Sequence, residues 1–350
     1  MIFNKSTNGA EEAKALLGFI YKSNEFNNLI TYINIAERDI KRVIGPEVFK
    51  LAEDHYKSDN YKLVPEEGET ADPMHLLLDH LVQNIQLPVM LHAYRRYAPL
   101  NDLSHSESGR QITVTDELKP AFEWMLERDN KSLLDIAHET TDILIEFLDE
   151  QTDIPYVPTE IAPTGEPTNN TIEEAWRTSA TYSAQRDLFI NSAREFDSIF
   201  PIGASRRLFL TLVPFIREVE LRHIRPAIGA TKYDAIRELI KDGDLTVAGN
   251  EESFEIHQLS KVPIALITIS IALKRLSVEL LPDSVIQSFS AMDVKQSKTA
   301  NSTDRIGVSA MLERDGRREL LPLQNYITSL LPVVEVIEEE TDTEQPFFMS

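Results

Sequence analysis

A mainly α protein, built from two tandem, duplicated helical-bundle domains with extended loops or short β-hairpins, is the fold class the sequence predicts. Three observations carry that prediction. The run Met125-Leu126-Glu127-Arg128-Asp129 returns, residue for residue, as Met311-Leu312-Glu313-Arg314-Asp315, 186 residues on. Ile40, Ile44, Gly45 and Phe49 fall on Ile224, Ile228, Gly229 and Tyr233 at a spacing of 184 residues. Between and around these blocks apolar residues recur at helical spacing. Two anchors at nearly one spacing, about half the length of a 350-residue chain, imply one unit written twice.

Taken in order, the chain opens with a polar arm and a weak helix pattern over 11–23. Leu29 to Val43 is a clearer amphipathic helix, with Leu29, Ile33, Ala36, Ile40 and Val43 on one face and Glu37, Asp39, Lys41 and Arg42 on the other. Gly45-Pro46 stops it, because glycine accepts a terminating conformation and proline cannot continue the hydrogen-bond ladder. A short helix over 47–56 follows, then a charged loop with Pro65, Gly68 and Pro73, then a long helix over 74–97 that contains Pro88. That long helix is the expected core element of the first half. Leu100 to Val114, small and polar around Gly109, reads as an extended loop or hairpin. Thr115-Asp116 is placed to cap a helix running through Pro120, Trp124 and the first pentapeptide. Asn130 is placed to end it, and 132–148 forms the last helix of the half.

Pro155, Pro158, Pro163 and Pro167 make 151–172 a linker or arm. The second half repeats the order, with helices over 173–195, 206–225 and 231–241 and a core helix over 254–280 that carries Pro263. This core helix is more apolar than its counterpart, and its face is expected against another subunit. Residues 284–309 form a second polar connection in the place of the first. The boundaries that follow are 1–150 and 173–334 for the two helical domains, 151–172 for the linker, and 335–350 for an acidic tail that is either solvated or an interaction segment.

Composition narrows the function classes. Fifty-seven Asp and Glu against 35 Lys and Arg give a formal charge of −22, which opposes a surface that holds nucleic acid by neutralising phosphates. The absence of cysteine removes disulfides and thiolate metal sites and fits a reducing compartment. No apolar run reaches the roughly 18 residues of a membrane span, and Met1 to Lys5 lacks the pattern of a secretory signal. A soluble protein made in the cytosol is expected.

Catalytic signatures are missing. His75 and His80 are five residues apart and do not share a helix face, and His138-Glu139 is not followed by a second histidine at the zinc spacing. No Gly-rich phosphate loop and no nucleophile elbow occurs. Carboxylates are plentiful, and nothing in the sequence singles out a pair for acid and base work. The expectation is therefore no enzyme, no cofactor and no metal. The candidates for partner contacts are arginines isolated in an acidic chain: Arg95, Arg96, Arg206 and Arg207, with Arg128 and Arg314 as the pair set by the pentapeptide. Each has the commoner alternative of a solvated or intramolecular ion pair. The pentapeptide itself reads more readily as a helix end, since Asn130 and Gly316 follow it.

The run Ile35-Ala36-Glu37-Arg38-Asp39-Ile40-Lys41-Arg42-Val43-Ile44-Gly45, followed by a short helix, a long apolar helix and an excursion, resembles the helical head-to-tail connector (adaptor) proteins of tailed phages and prophages. It is also similar to uncharacterised proteins associated with Bacteroidetes phages and prophages. The resemblance implies a virion structural protein that joins portal and tail proteins as a homo-oligomeric ring, assembled in the host cytoplasm. DNA would pass nearby without sequence-specific binding. An acidic wall suits that, because it lets a polyanion slide. Six chains presenting twelve units and twelve chains are both open. The other classes are a host cytoplasmic helical adaptor or scaffold protein, and an enzyme whose residues are too dispersed to recognise.

Overall fold

Helices dominate the computed structural model, which describes residues 1–18, 26–61, 73–101, 104–106, 109–111, 122–153, 171–276 and 302–330. The first part runs α1 (Gly9–Leu17), α2 (Phe26–Ile44), α3 (Pro46–Lys57), α4 (Pro73–Asn101), an antiparallel hairpin of β1 (Ser104–Ser106) and β2 (Gly109–Gln111), and α5 (Glu123–Asp153). Then come α6 (Thr171–Thr178), α7 (Ala180–Gln185), α8 (Ala193–Ile199) and α9 (Arg206–Val219). A π-helical turn (Glu220–Ile224) joins α9 to α10 (Arg225–Ile228). The chain continues through α11 (Ala230–Asp242), α12 (Glu251–Arg275), α13 (Ser302–Arg318) and α14 (Leu320–Ser329).

Two separate apolar cores form. In the first, Leu29 and Ile33 of α2, Leu81, Ile85 and Val89 of α4, and Leu144 and Leu148 of α5 meet. In the second, Leu212 and Ile216 of α9, Ile264 and Ile267 of α12, and Leu312, Leu320 and Leu323 of α13 and α14 meet. Each lobe thus lays a long apolar helix between an earlier helix and a later one. Ile172 and Trp176 of α6 belong to the first core and Leu188 opens the second, so the change of core falls after α6.

Gly45 and Gly229 share one unusual backbone conformation. Their φ and ψ are +88° and 154°, and +86° and 147°, a region that only glycine occupies without strain. Each ends one helix and begins the next. At a spacing of 183 residues Phe26, Leu29, Ile33, Ala36 and Glu37 fall on Phe209, Leu212, Ile216, Val219 and Glu220, and all ten are buried. Past the π turn the spacing becomes 184, and Ile40, Ile44, Phe49 and Ala52 fall on Ile224, Ile228, Tyr233 and Ile236, again all buried. The π turn holds one residue more than an α turn, which is the residue by which the spacing changes.

Several expectations are corrected. Neither pentapeptide ends a helix: Asn130 lies inside α5, a single helix where two were expected, and Gly316 lies inside α13. A Cβ on Gly316 would come within 2.6 Å of Ile267 Cγ1, so the glycine permits close approach of α12 and α13. Met125 does not sit on Met311. The buried positions Leu133, Ala137, Thr141 and Leu144 of α5 match Leu312, Gly316, Leu320 and Leu323 at 179 residues, seven fewer than the pentapeptide spacing. Seven residues are about two helical turns, so the same face returns while the depth changes. Leu126 is 37% exposed and Leu312 is 5% exposed.

The expected helix over 173–195 is three pieces, because Ser179 caps α7 with its side chain on the Tyr182 amide and Leu188 to Ile190 leave the helix to enter the core. The opening residues are not a polar arm, since Ile2 and Phe3 are in the first core. Residues 302–309, expected in a loop, are the first turns of α13. The apolar face of α12 is covered within its own lobe by α9, α13 and α14, not kept for another subunit. By length and composition α12 could cross a membrane, and here it is a core helix. Thr115-Asp116, residues 154–170 and 284–301, and the acidic tail lie outside the described residues.

Candidate functional site

Both lobes solve one backbone problem in the same way. A non-helical apolar residue enters each core, and its amide and carbonyl need partners there. In the first lobe Glu37 Oε1 accepts from the Ile2 amide at 2.8 Å, and Gln86 Nε2 donates to the Ile2 carbonyl at 2.6 Å. In the second, Glu220 Oε1 accepts from the Phe189 amide at 2.7 Å, and His257 Nε2 lies 2.7 Å from the Phe189 carbonyl. That contact requires the proton on Nε2. Glu220 also accepts from the Tyr233 hydroxyl at 2.9 Å and has Arg217 Nη1 at 3.6 Å. Burial pushes the Glu220 carboxyl up to about 7, against the pull of its hydrogen bonds and Arg217. Burial also raises Glu37 and lowers His257 to about 4.

Sequence reasoning put Glu37 on the polar face of its helix. The spacing of Ile33, Glu37, Ile40 and Ile44, four, three and four residues, is the available signal that it shares the apolar face. Glu220 carries the same signal less clearly, because the π turn breaks the period after it.

The arginines distribute unequally. Arg96 Nη2 donates to Asp39 at 2.6 Å. Arg206 bridges the lobes, with Nη2 2.8 Å from Glu146 and Nε 3.4 Å from Asp149, both on α5. Asp142, also on α5, accepts from the Ser205 hydroxyl at 2.8 Å and from the Arg207 amide at 2.6 Å, so it caps the start of α9 from the other lobe. Arg95, Arg96 and Arg207 gather where α4, α5 and α9 meet, around His92 and His138, whose ring centroids are 6.1 Å apart. Arg128 and Arg314 stand apart on exposed surface, and among the described residues Arg314 pairs with its neighbour Asp315 at 3.5 Å. Four of the six predicted contact arginines therefore lie along the seam between the lobes.

A cleft of about 530 Å³ lies on this seam, lined among others by Glu146, Asp149, Arg177, Tyr182, Arg186 and Arg206. Several of its acids and bases are engaged: Asp149 accepts from Trp176 Nε1 at 3.1 Å, Arg177 reaches Glu173 and the Thr152 carbonyl, and Arg186 donates to the Lys241 carbonyl. His75 lies beside His55, with ring centroids 6.0 Å apart, while His80 is exposed; His55 Nε2 is 2.7 Å from Asp79. Among the described residues no three His, Asp or Glu side chains form a group able to hold a metal ion.

One surface is notable for the opposite chemistry. Phe122, Trp124, Met125 and Leu126, in and just before the first turns of α5, are all exposed. Four exposed apolar side chains within five residues are uncommon on a protein that acts alone. The chain matches no protein-family model, no curated protein and no solved structure.

Proposed function

We propose that the chain is two copies of one helical unit and serves as a non-enzymatic structural protein of a phage or phage-derived particle. In this reading it forms a homo-oligomeric ring at the head-to-tail junction, between portal and tail proteins, and is assembled in the host cytoplasm. The first unit runs to the end of α6, and the second runs from Leu188 through α14.

The observation that carries the reading is the paired anchoring scheme: buried Glu37 and Glu220, equivalent glycines, and a non-helical residue pinned in each core. A ring needs a heterologous interface, one face of a subunit meeting a different face of the next. Two similar but unequal units supply that. The uncovered start of α5, around Trp124, is the face we assign to it. A charge of −22 keeps a central channel from holding DNA.

Light scattering and negative-stain imaging of the whole chain, alone and with the products of neighbouring genes, test the reading. A closed ring or a place in a particle is expected, and Trp124→Glu is expected to abolish association while leaving the thermal melt unchanged. A chain that stays monomeric with all those partners overturns the ring and favours the host-adaptor class.

A further inference from the structure

Three guanidiniums and two imidazoles meet at the α4, α5 and α9 junction of a chain in which acids outnumber Lys and Arg by 57 to 35. In such a chain each cation has carboxylates to choose from. Yet Arg96 Nη1 and Arg207 Nε are buried with no hydrogen-bond partner. Arg95 is half-buried and forms no ion pair among the described residues. The nearest acids are already engaged: Asp39 takes Arg96 Nη2, and both oxygens of Asp142 serve the start of α9. Buried donors without acceptors are rare in folded proteins, and each calls for an explanation such as a bound ion.

The arrangement on each helix is regular. His92, Arg95 and Arg96 are three and four residues apart on α4 and share a face. His138 sits one turn before Asp142 on α5, which brings it beside Arg207 at the second position of α9. The two rings touch.

We propose that this junction is a binding site for a compact oxyanion of the phosphate type, held by Arg95, Arg96 and Arg207 with His92 and His138 as further donors. Guanidinium forks match the oxygens of such an anion bidentately. Asp39 and Asp142, which flank the cluster from α2 and α5, disfavour a long polyanion by repulsion. The inference stands independently of the ring reading, since it concerns a seam inside one chain.

Protons are coupled to the site. Burial, then the neighbouring guanidiniums, lower both His92 and His138 to about 4, so both rings are neutral near pH 7 in the empty site. An anion offsets those guanidiniums and raises both values, so binding favours proton uptake by the rings.

Phosphate titration of the whole chain, followed by histidine ring resonances in NMR, is the test. Saturable shifts of His92 and His138 are expected, with exposed His80 unmoved. Arg207→Gln and Arg95→Gln should each weaken binding by about tenfold, and Arg314→Gln should not. If Arg207→Gln fails to fold, Arg207→Lys keeps the charge, loses the fork, and should still bind several-fold more weakly. Shifts reproduced by the same concentration of chloride, or unchanged in the Arg207 variant, overturn the site. A short DNA duplex should not compete with phosphate, and competition by it overturns the compact-anion assignment.

Discussion

Glu37 and Glu220 hold equivalent places in the two lobes, yet their surroundings differ in a way that separates fold from chemistry. Glu37 is 9% exposed and faces the opening segment and Gln86, an amide that does not titrate near neutrality. Glu220 is fully buried among Phe189, Tyr233 and Arg217, across from His257. A carboxylate that accepts a backbone amide is the shared requirement. The identity of the second clamp is free to change, because either an amide or an imidazole can donate to the carbonyl.

The two glycines give the largest expected difference. Both lie at positive φ, but a Cβ at Gly45 would stand 2.8 Å from Ser179 Cβ, whereas one at Gly229 meets nothing within 4 Å. Gly229→Ala should cost about 1–2 kcal/mol from backbone strain alone, and Gly45→Ala about 3 kcal/mol or more because α6–α7 must also move. Urea denaturation of the two variants measures this, and equal losses would break the comparison.

The carboxylates give the next effect, through pH. Glu220 keeps its proton in the fold up to about pH 7 but in the unfolded chain only up to about 4.5. Its contribution therefore favours the fold at low pH and is lost as pH rises through that window. His92, His138 and His257 act in the opposite sense: neutral in the fold down to about pH 4, they withdraw stability as pH falls below 6.5. The two windows overlap between about pH 4.5 and 6.5, where Glu220 opposes the imidazoles, so Glu220→Gln should steepen the rise of melting temperature with pH there. An unaltered slope in that variant would mean the carboxylate is ionised throughout.

Arg206 should matter least. Its pairs with Glu146 and Asp149 are partly exposed, and such pairs contribute about 1 kcal/mol or less. Arg206→Ala is expected to lower stability by no more than that and to lose the effect in high salt. Asp142→Ala, which uncaps α9 across the same seam, should do more, by about 1 kcal/mol, and the order of the two tests whether capping or charge joins the lobes.

Most helices were legible because apolar residues at helical spacing are both the signal in the sequence and the cause of the packing. α2, α3, α4, α9 and α11 lie close to where periodicity puts them, and the glycine stops mark a backbone state that other residues avoid. The pentapeptide misled because it is surface wording. Its residues fit any acidic helix, so its recurrence fixes no depth, while the buried positions seven residues out of step do. Ile2 and Phe189 carry no signal because short non-helical segments have no period, and Glu37 escapes because a charge in a sequence implies solvent. The cluster around His92 and Arg207 joins three helices far apart in sequence, and only packing brings it together.

The π turn at Glu220–Ile224 acts on the reading frame of the helix surface. One added residue in an α-helix rotates everything beyond it by about 100°, which would carry Ile224, Ile228 and Tyr233 out of the core. By widening a single turn the backbone absorbs the insertion locally, and the buried stripe resumes in phase on the far side. A helix that tolerates such a correction frees its two halves to vary independently in length, so a lobe can gain or lose a residue without rewriting its core.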